Sequence, residues 1–398
     1  MMLRLTILFL AALLCLPSST DARNRQAARP APVAPPAMPE QRVVDVCSAI
    51  LFDMDNDAIL FEQNADQKIP PASLTKIMTI FLALDFIDAG HARLDSPVRI
   101  SRLAANTGDS RMGLKEGETV RLGELLRGMA IASGNDASTA VAEFVGGSIP
   151  AFVKMMNTRA ERLGMHDTHF VNPHGLPAKG QRTTARDMLT LARAYLKKHP
   201  DALSIHNEHS IKHGQHVSWN RNPLLGQYRG ADGLKTGWVR ASGYNLIATA
   251  LRGNHRLVSV VLGAPDPQDR GIETCRILDA GFLVCEGKAC TVPDVLPSLL
   301  PEDYSLDPNL IKHEARQKYG YVTGGHSRAP RAQAQAQATP QNRRAQRGSM
   351  PQAGRNRRAA AQPQKPAANR QPQKNSGKDA KRRGTDQKNK QKQKKKKK

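Results

Sequence analysis

Between residues 42 and 290 the chain predicts an α+β fold, an antiparallel sheet flanked by helices. Three observations predict it: apolar runs at strand spacing occupy both ends of this stretch, helical periodicity fills its middle, and a last helical pattern closes it. Strands from both ends of a chain with helices between them assemble most simply into one antiparallel layer with helices packed on it.

Residues 1–22 hold Arg4, an apolar run over residues 5–16, and then Pro17-Ser18-Ser19-Thr20-Asp21-Ala22. A basic start, a short apolar core and small residues after it predict a secretory signal peptide, because about twelve apolar residues are too few to span a bilayer. The reading sets the mature start near Arg23 and the protein across the cytoplasmic membrane, in a periplasm or cell envelope. Cys15 follows Leu13 and Leu14, not the small residues that precede a lipidated cysteine. Residues 23–41 are rich in Pro and Ala and predict an extended linker.

The apolar runs at residues 43–52 and 58–61, divided by Asp53-Met54-Asp55-Asn56-Asp57, predict a β-hairpin. The aspartates of its turn lack the Gly and Glu of a calcium loop. Helical patterns follow at Leu122–Ile131 and at residues 137–145, 151–163 and 184–198, the last stopped by Pro200. Strand patterns return at 244–251 and 256–262, joined by Arg252-Gly253-Asn254-His255, and a helix over 268–283 closes the domain. Residues 291–320 read as a short connecting segment.

Charge is distributed unevenly. Residues 321–398 hold 23 Lys+Arg against 2 Asp+Glu, so they supply +21 of the formal +24, and no aromatic residue follows Tyr321. Such a segment cannot bury enough apolar surface to fold by itself, which predicts a disordered polybasic tail suited to an anionic membrane or cell-wall surface.

Chemistry is concentrated at Pro70-Pro71-Ala72-Ser73-Leu74-Thr75-Lys76. Ser73 is placed as the N-cap of a helix that continues through Ile77, Met78, Phe81 and Leu82, with Lys76 three residues on and therefore on the same face. A serine hydroxyl needs a neighbour to take its proton, and a lysine among apolar groups and beside another cation is neutral enough to do so. S-x-x-K alone equally describes a capped helix with a solvated lysine. Two later segments change this: Ala132-Ser133-Gly134-Asn135-Asp136-Ala137 and Asp232-Gly233-Leu234-Lys235-Thr236-Gly237-Trp238. The order S-x-x-K, S-x-N, K-T-G is the signature of penicillin-binding proteins and class A β-lactamases.

Through these motifs and Phe170-Val171-Asn172-Pro173-His174-Gly175-Leu176, the chain resembles the D-alanyl-D-alanine carboxypeptidases, low-molecular-mass penicillin-binding proteins of serine peptidase family S11, over about residues 42–285. The resemblance implies a five-stranded sheet, a helical subdomain and a site between them. It implies Ser73 as nucleophile on the carbonyl between two terminal D-alanines, Lys76 as its base, and Ser133 as proton relay to the leaving amine. Asn135 orients Lys76 and binds a substrate amide, Lys235 supplies a second cation, Thr236 binds the terminal carboxylate, and Gly237 admits the peptide. The backbone N–H groups of Ser73 and Trp238 form the oxyanion hole. Asn172 and His174 shape a loop beside the site. No cofactor or metal is implied; the partners are peptidoglycan stem peptides, with β-lactams as covalent inhibitors.

Longer members of that family continue into a β-rich domain and an amphipathic anchor, for which residues 291–320 are too short. A class A β-lactamase needs a deacylating Glu with Asn four residues on, which none of Glu143, Glu161 and Glu208 has. The remaining alternatives are a D,D-endopeptidase that cuts cross-links and an inactive polycationic binding protein; the signal peptide argues against a nucleic-acid partner. After loss of Cys15, Cys47, Cys275, Cys285 and Cys290 allow three pairings. The pair 285 with 290 is the favoured one.

Overall fold

A computed structural model describes residues 42–320. The signal peptide, the linker and the basic tail lie outside the described residues. The domain opens with a hairpin, β1 (Ser48–Asp53) and β2 (Ala58–Gln63), whose turn is organised by its own aspartates. Asp53 accepts from Asp55 N at 2.9 Å and from Asn56 Nδ2 at 2.7 Å, while Asp55 accepts from Arg256 N at 2.7 Å. A 3-10 turn (Ala72–Leu74) then runs into α1 (Thr75–Asp88). Next come β3 (Pro97–Arg99), α2 (Arg102–Asn106), β4 (Thr119–Arg121), α3 (Leu122–Ile131), α4 (Asn135–Gly146), α5 (Ile149–Leu163), α6 (Ala185–Lys198) and the short α7 (Leu203–His206). The chain returns through β5 (Ser210–His213), β6 (His216–Trp219), β7 (Ala231–Val239), β8 (Gly243–Arg252) and β9 (His255–Ala264) to α8 (Pro267–Cys285). Beyond it are α9 (Val292–Val295) and α10 (Leu310–Tyr319).

The main sheet is antiparallel, in the order β2-β1-β9-β8-β7, so the first hairpin pairs with the last strands and β7 is an edge. Both faces are covered, and side-chain alternation sorts each strand between two cores. Ile50, Phe52, Ile247, Val258 and Val260 face the helical subdomain, and Ala49, Leu51, Leu246, Leu257 and Val261 face α8. α8 lies close on the sheet at Gly281, where a β-carbon would meet Leu51 Cδ2 at 2.5 Å. On the other side α1 is buried on all sides from Thr75 to Ala83, the position of a central helix. Capped amphipathic helices surround it; Ser148 and Thr184 accept from Ala151 N and Asp187 N at the starts of α5 and α6.

Three expectations are corrected. Ser73 is not an N-cap: Ala72 takes φ +49°, the chain turns in 3-10 geometry, and the serine hydroxyl is aimed at Lys76 and not at a backbone N–H. Residues 291–320 do more than connect. Val292, Leu296 and Leu306 enter the α8-side core, and Ile311 and Ala315 are buried. The favoured disulfide is absent, and all four described cysteines are free thiols: Cys285 Sγ donates to Asp53 Oδ2 at 3.3 Å from the end of α8, while Cys290 is exposed. Among the described residues no helix is long and apolar enough to cross a membrane.

Candidate active site

Ser73 and Lys76 enter the site from the start of α1, Ser133 and Asn135 from the junction of α3 and α4, and Lys235, Thr236 and Gly237 from edge strand β7. Ser73, Ser133, Asn135, Thr236, Gly237 and Trp238 line one cleft of about 680 Å³. Lys76 is fully buried and Lys235 nearly so. The three motifs, separated by up to a hundred and more residues, therefore converge.

The Lys76 amine has three neighbours: Ser73 Oγ at 2.9 Å, Asn135 Oδ1 at 2.7 Å and the His174 carbonyl oxygen at 2.7 Å. Burial, and then the Lys235 cation, hold its pKa well below the usual lysine range. A neutral amine has two hydrogens and one lone pair. The His174 carbonyl can only accept, and Asn135 must present oxygen to Lys76 because its Nδ2 donates to the Gly108 carbonyl at 2.8 Å. Both amine hydrogens are thereby committed, and the lone pair faces the Ser73 hydroxyl, the arrangement of a base and its nucleophile.

Ser133 occupies the left-handed region, φ +56°, at the break between two helices. Its Oγ accepts from Lys235 Nζ at 3.1 Å, and Lys235 also donates to the Thr236 carbonyl at 2.9 Å. Burial, then Arg221 and Arg270, lower the Lys235 pKa to about 7. Gly237 runs against the nucleophile turn: a β-carbon there would lie 3.1 Å from Ser73 N and 3.2 Å from Leu74 N. Trp238 packs near Tyr244, ring centroids 5.9 Å apart.

Several supports were not legible in the motifs. The buried Asp136 carboxylate accepts from the backbone N–H groups of Met112, Gly113 and Leu114 at 3.0–3.1 Å and fixes the loop that follows Asp109 and Ser110 of the cleft lining. His206 donates from Nδ1 to the Leu234 carbonyl at 2.9 Å, fixing β7 beside Lys235, and its Nε2 accepts from the Tyr195 hydroxyl at 2.9 Å. Asn172 bridges Gly175 N and the Leu176 carbonyl. His174, pushed down to about 3 by burial and by Lys76, is a neutral acceptor from Leu176 N. Its carbonyl, not its imidazole, serves the site. Arg221 and Arg270 also line the cleft, and burial lowers both pKa values, that of Arg270 to about 10. Two guanidiniums and Lys235 in a partly desolvated cleft make it a site for an anion.

The family model of the D-alanyl-D-alanine carboxypeptidases, peptidase S11, matches residues 36–266. The chain is 39% identical over 239 residues to D-alanyl-D-alanine carboxypeptidase DacF of Bacillus subtilis, a match covering 59% of this chain and 61% of that one. It is 40% identical over 258 residues to DacC of Escherichia coli, covering 63% and 64%. The chain thus spans less than two thirds of the length of these relatives. Penicillin-binding protein 6B from Escherichia coli superposes with a TM-score of 0.58 at 38% identity, over 61% of this chain and 79% of that chain. Penicillin-binding protein D2 from Listeria monocytogenes, in its ampicillin-bound form, gives 0.55 at 32% identity, over 60% and 98%.

Proposed function

The chain belongs to the D-alanyl-D-alanine carboxypeptidase family, and we propose that it acts as a serine-type carboxypeptidase removing the terminal D-alanine of peptidoglycan pentapeptides. The observation that carries this reading is the buried Lys76 amine held by Asn135 Oδ1 and the His174 carbonyl oxygen with Ser73 Oγ 2.9 Å away. In the proposed reaction the Ser73 proton passes to Lys76 as Oγ attacks the carbonyl carbon of the penultimate D-alanine. The developing oxyanion is held by the N–H groups of Ser73 and Trp238, contacts of a kind worth about 10²–10³ in rate. Ser133, bonded to Lys235, relays the proton taken up by Lys76 to the leaving amine and recovers its own hydroxyl; D-alanine departs, and water, giving a proton to Lys76 that then passes to Ser73 Oγ, hydrolyses the ester on Ser73. Asn135 fixes the base and meets a substrate amide, and β7, as an edge strand, offers its ladder to an extended peptide. Thr236, with Lys235, Arg221 and Arg270 behind it, receives the terminal carboxylate. β-Lactams would acylate the same hydroxyl.

The +21 of residues 321–398 supports a second role, an electrostatic tether to an anionic membrane or wall polymer at about 1 kcal/mol per lysine or arginine near the surface. A site with this arrangement argues against an inactive polycation, and the apolar start at residues 5–16 supports action outside the cytoplasmic membrane.

The test is mass spectrometry of a pentapeptide muropeptide incubated with the protein, with fluorescent penicillin as a probe of the nucleophile. Loss of one D-alanine and a penicillin adduct on Ser73, absent in Ser73→Ala, are expected. An adduct at normal rate in Ser73→Ala rejects the assignment.

A further inference from the structure

We propose that residues 304–311 form an end wall of the cleft that confines the enzyme to the free ends of peptides, favouring carboxypeptidase action over cleavage of cross-links. The proposal rests on the carboxypeptidase reading above and adds its selectivity. The wall lies beyond the stretch that matches the family, residues 36–266.

Leu306, Asp307, Pro308 and Ile311 line the same cleft as Ser73. They stand on the side of the two guanidiniums. Leu306 packs against Gly271, next to Arg270, so tightly that a β-carbon there would meet its Cδ1 at 2.7 Å; Pro223, near Arg221, touches the same point at 3.1 Å. Asp109, Ser110 and residues 175–177 also line the cleft, Gly175 against the turn that carries Ser73. The wall is fixed by its backbone. Gln268 Nε2 donates to the Leu306 carbonyl at 3.0 Å, Gln227 Nε2 donates to the Asp307 carbonyl at 3.1 Å, and Asp307 N donates to Gln227 Oε1 at 2.6 Å. Behind it α10 is held on the β5–β6 hairpin region by the Lys312 ammonium over the Trp219 ring and by the pairing of His209 with Glu314.

The chemistry follows from that placement. A substrate with its carboxylate at Arg221 and Arg270 ends where the wall begins. A peptide that continues past this carboxylate, or a leaving amine that belongs to a second stem peptide, must pass through the side chains of Leu306 and Pro308, carried on backbone that is anchored to two separate elements. Excluding such a group by overlap costs a substrate about 1–3 kcal/mol or more in its transition state, a discrimination of about tenfold to a hundredfold.

The experiment compares full-length wild type with Pro308→Gly, at an exposed position, and Leu306→Ala, at a buried one. The substrates are diacetyl-L-Lys-D-Ala-D-Ala, the same peptide extended by glycine, and a purified cross-linked muropeptide dimer, with products read by mass spectrometry. The wild type should release D-alanine from the first and cleave the other two at least about tenfold less well in kcat/KM, and opening the wall should narrow that ratio by a further factor of about ten. Comparable wild-type cleavage of the extended peptide or the dimer overturns the wall, as does an unchanged ratio in folded Pro308→Gly; if Leu306→Ala fails to fold, Pro308→Gly decides alone. No D-alanine release from any substrate by wild type would instead defeat the functional reading on which the wall rests.

Discussion

Substituting Gly175 by alanine should disable the nucleophile from a residue that makes no contact with the reacting atoms. Gly175 has φ +89°, and a β-carbon on it would fall 1.8 Å from the Ala72 carbonyl oxygen and 3.0 Å from Ser73 N. Carbon atoms do not approach so closely: bringing the first distance to 3.0 Å requires about 1.2 Å of movement between the 172–176 loop and the turn that carries Ser73. The turn has nowhere to go, since Ala72 and Leu74 are buried. The loop cannot withdraw cheaply either, because its His174 carbonyl is one of the groups that orient Lys76. The left-handed backbone adds about 1–2 kcal/mol of strain and the overlap about 1–3 kcal/mol, so a loss of about 2–5 kcal/mol in stability is expected. A displacement of about 1 Å at a reacting group costs about 10² in rate, or about 2.7 kcal/mol in the barrier. The assay is the second-order rate of acylation by a fluorescent penicillin, with thermal melting in parallel. Gly237→Ala, whose β-carbon contacts of 3.1–3.2 Å need only a few tenths of an ångström, should lose about tenfold or less. Acylation of Gly175→Ala within about threefold of wild type would refute the reasoning, since the mechanism leaves the turn no room to remain in place.

The pH dependence should show both lysines. Lys76 acts as a base only when neutral, so acylation rises with pH through its depressed pKa, far below the ordinary lysine range. Lys235, at about 7 in the free protein, loses its cation as pH rises, so kcat/KM falls above that point; a bound carboxylate favours the charged form, so the alkaline limb of kcat lies higher. Coincident alkaline limbs would contradict the assignment of Lys235 to the carboxylate. Protein beginning at Arg23 and denatured without reductant should titrate four thiols, and a count of two or fewer would establish a disulfide that the structure lacks. Full-length protein should sediment with anionic vesicles or isolated sacculi at low salt and be released at high salt, whereas protein truncated after Gly320 should not sediment. Equal sedimentation of both forms removes the tether.

Much of this protein is legible in its sequence where the signal is local. The helix at Leu122–Ile131 has the predicted bounds, and β2, β8, β9 and α8 lie within about two residues of their expected positions, because apolar spacing reports which face of a helix or strand is buried; β1, in contrast, begins only at Ser48, well inside the apolar run that starts at Val43. The spacing of Ser73 and Lys76 likewise places both groups on one side of the chain, whether the intervening turn is α or 3-10. Other features depend on groups far apart in sequence. The Lys76 amine is held by Asn135, 59 residues on, and by the His174 carbonyl, 98 residues on, while its burial and the Lys235 cation lower its pKa. Arg221 and Arg270 carry no motif, and their role at the cleft comes only from the packing of the loop before β7 against α8. Residues 291–320 read as a connector because their apolar residues are sparse, yet Leu306 and Ile311 find partners already in place and line the cleft. The fate of the cysteines was decided the same way: periodicity sets which way a side chain faces along its own element, but where Cys285 ends up, beside Asp53 and not Cys290, depends on how α8 crosses the sheet.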